Sequence, residues 1–290
     1  MRTRKTSENP HPFGDLMRLW RARRGHSQLD LALEMGVSQR HISFIESGRS
    51  TPSRALLMQA ARVLDVPLRD RNAMLLAAGY APIYDESAWD APQMHSINRA
   101  LERMLAQHEP FPALVLDRHW NVLMRNQGAA QFFGMFVDLA ARPVPPNLLH
   151  LMFDPAGMRP HVANWRGVAQ GLFDRIRRES VGDVIDDKTR ELLTALRAYP
   201  DVPDAGPPAA GLSDSTPVIP IGFVLGEQVL NYFSMVCTVG TPRAAAAQEL
   251  RIECMFPADE ATEQWHLESL GGRGVCIDGT RPAPAPRRAS

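Results

Sequence analysis

Apolar residues between positions 13 and 79 recur at helical spacing, in short runs punctuated by Gly, Ser and Pro. Phe13, Leu16, Met17 and Trp20 follow the i, i+3, i+4, i+7 rule, and Gly25 stops that helix. Ser27 caps a second helix that turns Leu31, Ala32 and Met35 inward before Gly36 breaks the pattern. Ser38 caps a third, with Ile42 and Ile45 inward and Gln39, Arg40, His41 and Ser43 outward, ending at Gly48. Ser53 opens a fourth helix carrying Leu56, Leu57, Ala60 and Leu64, and Pro67 opens a fifth that ends near Gly79. The pattern predicts an all-α bundle of five helices over residues 13–79, preceded by a flexible N-terminus at 1–12.

Residues 80–93 are irregular and proline-rich and read as a linker; from 94 to 270 the texture is mixed. Ile97, Ala100, Leu101, Met104 and Leu105 mark an amphipathic helix, followed by strands at 113–116 and 121–124 around an Asp117-Arg118-His119 turn and a helix over 127–136. Helices are expected over 161–179 and around Leu192, Leu193, Leu196 and Tyr199. Phe233, Met235, Cys237 and Val239 alternate with Ser234, Val236 and Thr238, and Leu250, Ile252, Cys254 and Phe256 alternate with Arg251, Glu253 and Met255, the period of two expected of strands. The second domain is therefore α+β. Residues 200–217 read as a surface loop and 271–290 as a flexible tail.

Zero net charge over 290 residues argues against bulk attraction to polyanions, but the distribution is uneven: residues 1–80 hold 13 Lys and Arg against 7 Asp and Glu, and the remainder 19 against 25. No run approaches the ~18 apolar residues of a membrane span, and the polar start resembles no signal peptide, so a cytoplasmic protein that does not enter the membrane is expected. Cys237, Cys254 and Cys276 lack metal-ligand spacing; Cys237 and Cys254 share a strand face and read as buried inert thiols or as a redox pair. There is no phosphate loop, zinc motif or nucleophile elbow, and His95, His108, His119, His150 and His161 are scattered, so neither an enzyme nor a cofactor or metal is expected.

Helices two and three meet across Met35-Gly36-Val37-Ser38, the connection of a helix-turn-helix. The run Ser27-Gln28, Leu31-Ala32, Gly36-Val37-Ser38, Ile42-Ser43, Ile45-Glu46, Gly48-Arg49 and Pro52 resembles the phage-repressor-like, or XRE, regulators. That resemblance implies a transcription regulator whose third helix lies in the major groove of a double-stranded operator. Ser38 stands at the cap of that helix, and Gln39, Arg40, His41 and Ser43 are the candidates for base edges, since Gln can pair with adenine and Arg with guanine. Gln28 resembles the position that contacts phosphate and braces the reading helix, and Arg49 a phosphate contact in the following loop. One module buries only ~600 to 1,000 Å² on DNA, so a homodimer is expected.

The stretch from Ala113 to Asn126, continued by Gln127-Gly-Ala-Ala-Gln-Phe-Phe-Gly134, resembles the opening hairpin and helix of a PAS domain. With Phe153-Asp-Pro155 and the strands after 225, the whole chain resembles the MmyB-like regulators, which implies a PAS-like domain with a pocket suited to apolar ligands such as fatty acids. Eight methionines from Met94 onward, with Phe132, Phe133, Trp165, Phe233 and Met235, are candidates for lining such a pocket, or for ordinary core. The alternative reading keeps the DNA-binding domain and makes the C-terminal half a docking module for a protein partner, without a small ligand.

Overall fold

Gly14 stands where the first helix must approach another backbone: a Cβ there would lie 2.6 Å from the carbonyl of Glu46. The computed structural model describes residues 12–179, 186–202 and 220–271; residues 1–11, 203–217 of the expected loop and 272–290 of the expected tail lie outside the described residues. Five helices open it: α1 Pro12–Arg23, α2 Gln28–Met35, α3 Gln39–Glu46, α4 Arg54–Val63 and α5 Leu68–Ala77. Ser27, Ser38 and Ser53 each accept a backbone N–H three residues on, and Gly36 takes the left-handed φ of 65° that turns α2 into α3. Phe13, Met17, Trp20, Leu31, Ile42, Ile45, Leu57 and Leu64 bury together as the bundle core.

The segment after α5 forms neither helix nor strand until a 3-10 turn at Pro92–Met94, yet it is tied down. The buried Asn72 amide accepts from the N–H groups of Ile83 and Tyr84 and donates to Glu86, and Ala245 donates to the carbonyl of Asp85 at 2.8 Å.

The α+β domain comprises α6 His95–Gln107, β1 Ala113–Leu116, β2 Val122–Arg125, α7 Gln127–Gly134, α8 Leu148–Phe153, α9 Trp165–Glu179, α10 Asp187–Arg197, β3 Ile221–Leu225, β4 Gln228–Thr238, α11 Ala245–Glu249, β5 Arg251–Pro257 and α12 Glu260–Ser269. The sheet is antiparallel in the order β2-β1-β5-β4-β3, so β5, late in the chain, lies at its centre. A PAS-like sheet with helices results, as the sequence resemblance implied. Buried Asn126 fastens the opening hairpin to α7: its Oδ1 accepts from Ala113 and Ala129, and its Nδ2 donates to Phe111.

The sheet has a core on each face. Ala113, Val115, Ile252 and Cys254 pack with Leu101 and Leu105 of α6, whereas Leu114, Leu116, Phe223, Tyr232 and Met255 pack with Phe132, Leu149, Phe153, Phe173 and Leu196 on the other side. Cys237 pairs in register with Ile252 and Cys254 with Met235, so the two free thiols are diagonal neighbours. Burial pushes the Cys254 thiol up to about 11, away from the thiolate that redox chemistry needs.

Candidate DNA-reading face and ligand cavity

Ile42 and Ile45 are wholly buried, which anchors α3 and turns its polar row to solvent. Gln39, Arg40 and the cap residue Ser38 are exposed, His41 and Ser43 partly so, and Arg49 stands exposed in the following loop. Arg40 and Arg49 converge on one ring, their guanidinium carbons 5.0 and 5.7 Å from the centroid of Phe44. Sequence reasoning passed over Phe44, although an aromatic four residues after Arg40 on a helix is a readable signal.

Behind this face lies a buried charge. The side chain of Glu46 is 0% exposed; Arg21 donates to both its oxygens, Nε at 2.6 Å and Nη2 at 3.0 Å, and Gln28 Nε2 donates at 2.7 Å. The hydrogen bond to Glu46 raises the Arg21 guanidinium above its ordinary pKa. Arg18 donates to the Glu46 carbonyl at 2.9 Å, so α1 and the start of α2 grip the end of α3. Gln28, at the start of α2, is thus tied to the end of α3.

In the second domain the inner sheet face, α7, α8 and α9 enclose a cavity of about 50 Å³. Its apolar wall includes Leu114, Phe133, Leu149, Met152, Leu172 and Met255. Benzene occupies a cavity of roughly 150 Å³. Anything larger than a few heavy atoms must therefore open this one, and Met152 and Met255, unbranched and adaptable, stand where it would give.

Of the five candidate lining residues, Phe133 borders the cavity with its ring, whereas Phe233 lies on the strand that walls it but shares the face of Met235, its ring stacked on Phe256 at 5.7 Å. Phe132 lies behind it, edge-on to Phe223 at 5.1 Å and to Tyr232 at 5.0 Å. Trp165 is elsewhere, against Phe153 and beside a cleft with Arg159 and Pro160. Met235 is 55% exposed, because the alternation of β4 turns it to the opposite face from Tyr232 and Ser234. The placement of Trp165 and Met235 thus removes them from this cavity.

At one end of the cavity, charges are buried. Arg175 of α9 donates to Glu253 at 2.8 and 2.6 Å and to Glu179 at 2.6 Å, while Arg251 pairs with Glu179 and donates to the Asp117 carbonyl. Both guanidiniums lie over the ring of buried Trp120, Arg175 at 4.6 Å and Arg251 at 4.9 Å from its centroid. Trp120 holds a left-handed φ of 67°, uncommon for a bulky residue, within the turn that joins β1 to β2. Nothing in the sequence linked these six residues, because they lie on three separated stretches of chain.

His266 of α12 is fully buried, with Nε2 3.0 Å from the Pro110 carbonyl, so that nitrogen carries the proton and Nδ1 accepts from the Tyr232 hydroxyl at 2.7 Å. Burial holds the imidazole below its ordinary pKa. As pH falls through the unfolded value near ~6.5 the unfolded chain binds the proton first, so the folded chain loses stability on the acid side of that value. The urea midpoint is expected to drop between pH 7 and 5, and His266→Gln to flatten that slope. An equal slope in native and variant chains would assign the pH dependence to other groups.

Among the described residues no helix is long and apolar enough to cross a membrane. No group of three or more His, Cys, Asp or Glu among them is placed to hold a metal ion.

Comparison with known proteins agrees with this architecture. Residues 17–70 match the helix-turn-helix family, and residues 97–268 match the family described as the MmyB-like transcription regulator ligand binding domain. No curated protein matches the chain. Among solved structures, the crystal structure of the clp gene regulator ClgR from Corynebacterium glutamicum is similar at 24% identity, covering 35% of this chain and 99% of that one, with a TM-score of 0.21. With a helix-turn-helix in front and the second match spanning more than half of its length, the chain belongs to the MmyB-like transcription regulators, DNA-binding proteins that carry a ligand-binding domain.

Proposed function

We propose that the protein is a cytoplasmic homodimeric regulator that reads a two-fold operator through residues 13–79 and senses a small apolar ligand through residues 94–270. The observation that carries the reading of DNA is the outward row of α3 standing on the buried Ile42 and Ile45. Gln39, Arg40, His41 and Ser43 read base edges; Arg49, Gln28 and the cap at Ser38 meet the phosphate backbone. The cavity beneath α9 supports the sensing half, with Phe133 as a ligand contact and Phe132 as support, while the ring of Phe233 lies on the other face of β4. Fatty acids and similar metabolites are the ligand class that the resemblance implied.

The two halves are joined by polar contacts suited to transmitting occupancy. Leu68 N donates to Gln248 at 2.7 Å, and Arg69 donates to both oxygens of Glu249, at 2.7 and 3.0 Å. Arg118 reaches both Glu249 at 3.1 Å and Asp186, the cap of α10, at 2.5 Å. Arg118 and its neighbours hold the Asp186 carboxyl below the ordinary carboxylate range although burial alone would raise it. α11 ends one residue before β5, whose Glu253 and Met255 border the cavity, so a ligand that moves β5 pulls on α5. Linkage then makes ligand and operator alter each other's affinity by one shared factor, typically ~1 to 3 kcal/mol.

The test is retention of genomic DNA fragments by the purified chain at two salt concentrations, with sedimentation of the complex. Retained fragments are expected to share a two-fold related site, occupied by two chains. Retention indifferent to sequence would remove the reading of bases, and a monomer on the retained site would remove the dimer.

A further inference from the structure

The cavity is apolar except along one wall. Tyr232, Ser234, Glu253 and Trp120 are the side chains with polar atoms that border it, the first three on the inner face of β4 and β5. The Tyr232 hydroxyl is committed to His266. What remains on the two strands is the Ser234 hydroxyl and the Glu253 carboxylate.

Arg175 grips both Glu253 oxygens from the α9 side but is itself no part of the cavity wall, so the group presented to a ligand is the carboxylate. Each oxygen keeps accepting capacity, since a carboxylate offers about four lone-pair sites and Arg175 uses two. Arg175 and Arg251 against Glu179 and Glu253 sum to no net charge, so the cluster offers no surplus to draw in a counter-ion. An anionic head brought to this wall meets in Glu253 a group that only accepts, so it sheds its hydration with no donor there to replace it. A cationic head meets a carboxylate that Arg175 has already neutralised, and must shed its own hydration there. A neutral donor, a hydroxyl or an amide N–H, gains a charge-assisted hydrogen bond and buries no charge.

We propose that Glu253, assisted by Ser234, sets the specificity of this cavity, and that its ligand is an apolar molecule with an uncharged, hydrogen-bond-donating head rather than an ionised fatty acid. The inference rests on the reading of the cavity as the ligand site.

The test is calorimetric titration of the full chain at pH 8 with octan-1-ol, octanoate and octan-1-amine, all below their micellar concentrations. The three probes share one chain length, so the work of opening the cavity cancels. Octanol is expected to bind at least about tenfold more tightly than either ion, since a site built to meet a donor discriminates strongly against a head that cannot supply it without charge. Octanoate or octylammonium binding as tightly as octanol overturns the inference and leaves the cavity reading standing. No binding of any probe, with no shift in melting temperature, overturns both. In Glu253→Gln, checked for fold by circular dichroism, octanoate is expected to gain about tenfold because an amide that can donate replaces the carboxylate and Arg175 is released. Ser234→Ala, at a half-buried position that no ion pair depends on, is expected to weaken octanol a few fold and leave octanoate unchanged; the reverse order contradicts the proposal even if Glu253→Gln fails to fold.

Discussion

Replacing Gln39 and Arg40 together with alanine is expected to lower affinity for the operator by at least about 30-fold while leaving the chain folded. Both side chains are exposed on α3 and neither takes part in the bundle core, so the substitution removes reach into the groove and little else. A bidentate pair with a base is worth ~1 to 3 kcal/mol of discrimination, and two such pairs per module give about 2 to 6 kcal/mol before the second copy is counted. Arg40 is also held over the Phe44 ring, which limits the entropy it loses on binding and makes it the larger contributor of the two. Fluorescence anisotropy with an operator duplex and a scrambled one separates the effects: selective affinity should collapse toward the nonspecific level, and nonspecific affinity should fall only by the share of one lost charge per chain. Unchanged selectivity in a variant with native helical content would move the reading surface away from α3.

The bundle was legible in the sequence because its information is local. Caps at Ser27, Ser38 and Ser53, the left-handed Gly36 and the 3.6-residue spacing of Ile42 and Ile45 are all written within one turn of where they act. The buried Glu46 was not, since its partners Arg21 and Gln28 are 25 and 18 residues away and a lone Glu on a helix reads as solvated. In the second domain the alternation of β5 identified a strand and one apolar face. Arg251 and Glu253, which alternate with that face, are buried as well, because β5 is the central strand with a core on each side, and their charges are met by residues from α9 that no short-range pattern connects to it. β3, α8, α11 and α12 were too short or too weakly periodic to stand out; α11, for one, is five residues long and mostly alanine. The cavity follows the same logic: aromatic and methionine content pointed to an apolar interior, whereas which face of β4 met it depended on register, and the side chains of Phe233 and Met235 fell on the other side.

The Arg175→Ala variant should lose about 3 to 5 kcal/mol of folding stability, the cost of stranding a buried carboxylate. Glu253 has a side chain 8% exposed and takes both its ion-pair hydrogen bonds from Arg175, whereas Glu179 keeps Arg251 when Arg175 is gone. For a domain of this size each kcal/mol shifts the melting midpoint by roughly 2 to 4 °C, so a fall of about 6 to 20 °C is expected in differential scanning calorimetry. Arg175 also covers the Trp120 ring at 4.6 Å, and loss of that packing would lower the midpoint as well. A double variant, Arg175→Ala with Glu253→Leu, divides the two causes. It removes the stranded carboxylate while still leaving the indole uncovered, and replacing a buried ion pair by apolar groups is often neutral or stabilising. If the orphaned carboxylate is the cause, the double variant recovers most of the midpoint although it carries more substitutions than the single one. If the double variant melts as low as Arg175→Ala, the guanidinium acts through its contact with Trp120, and the ion pair contributes charge balance to the cavity wall without holding the fold together.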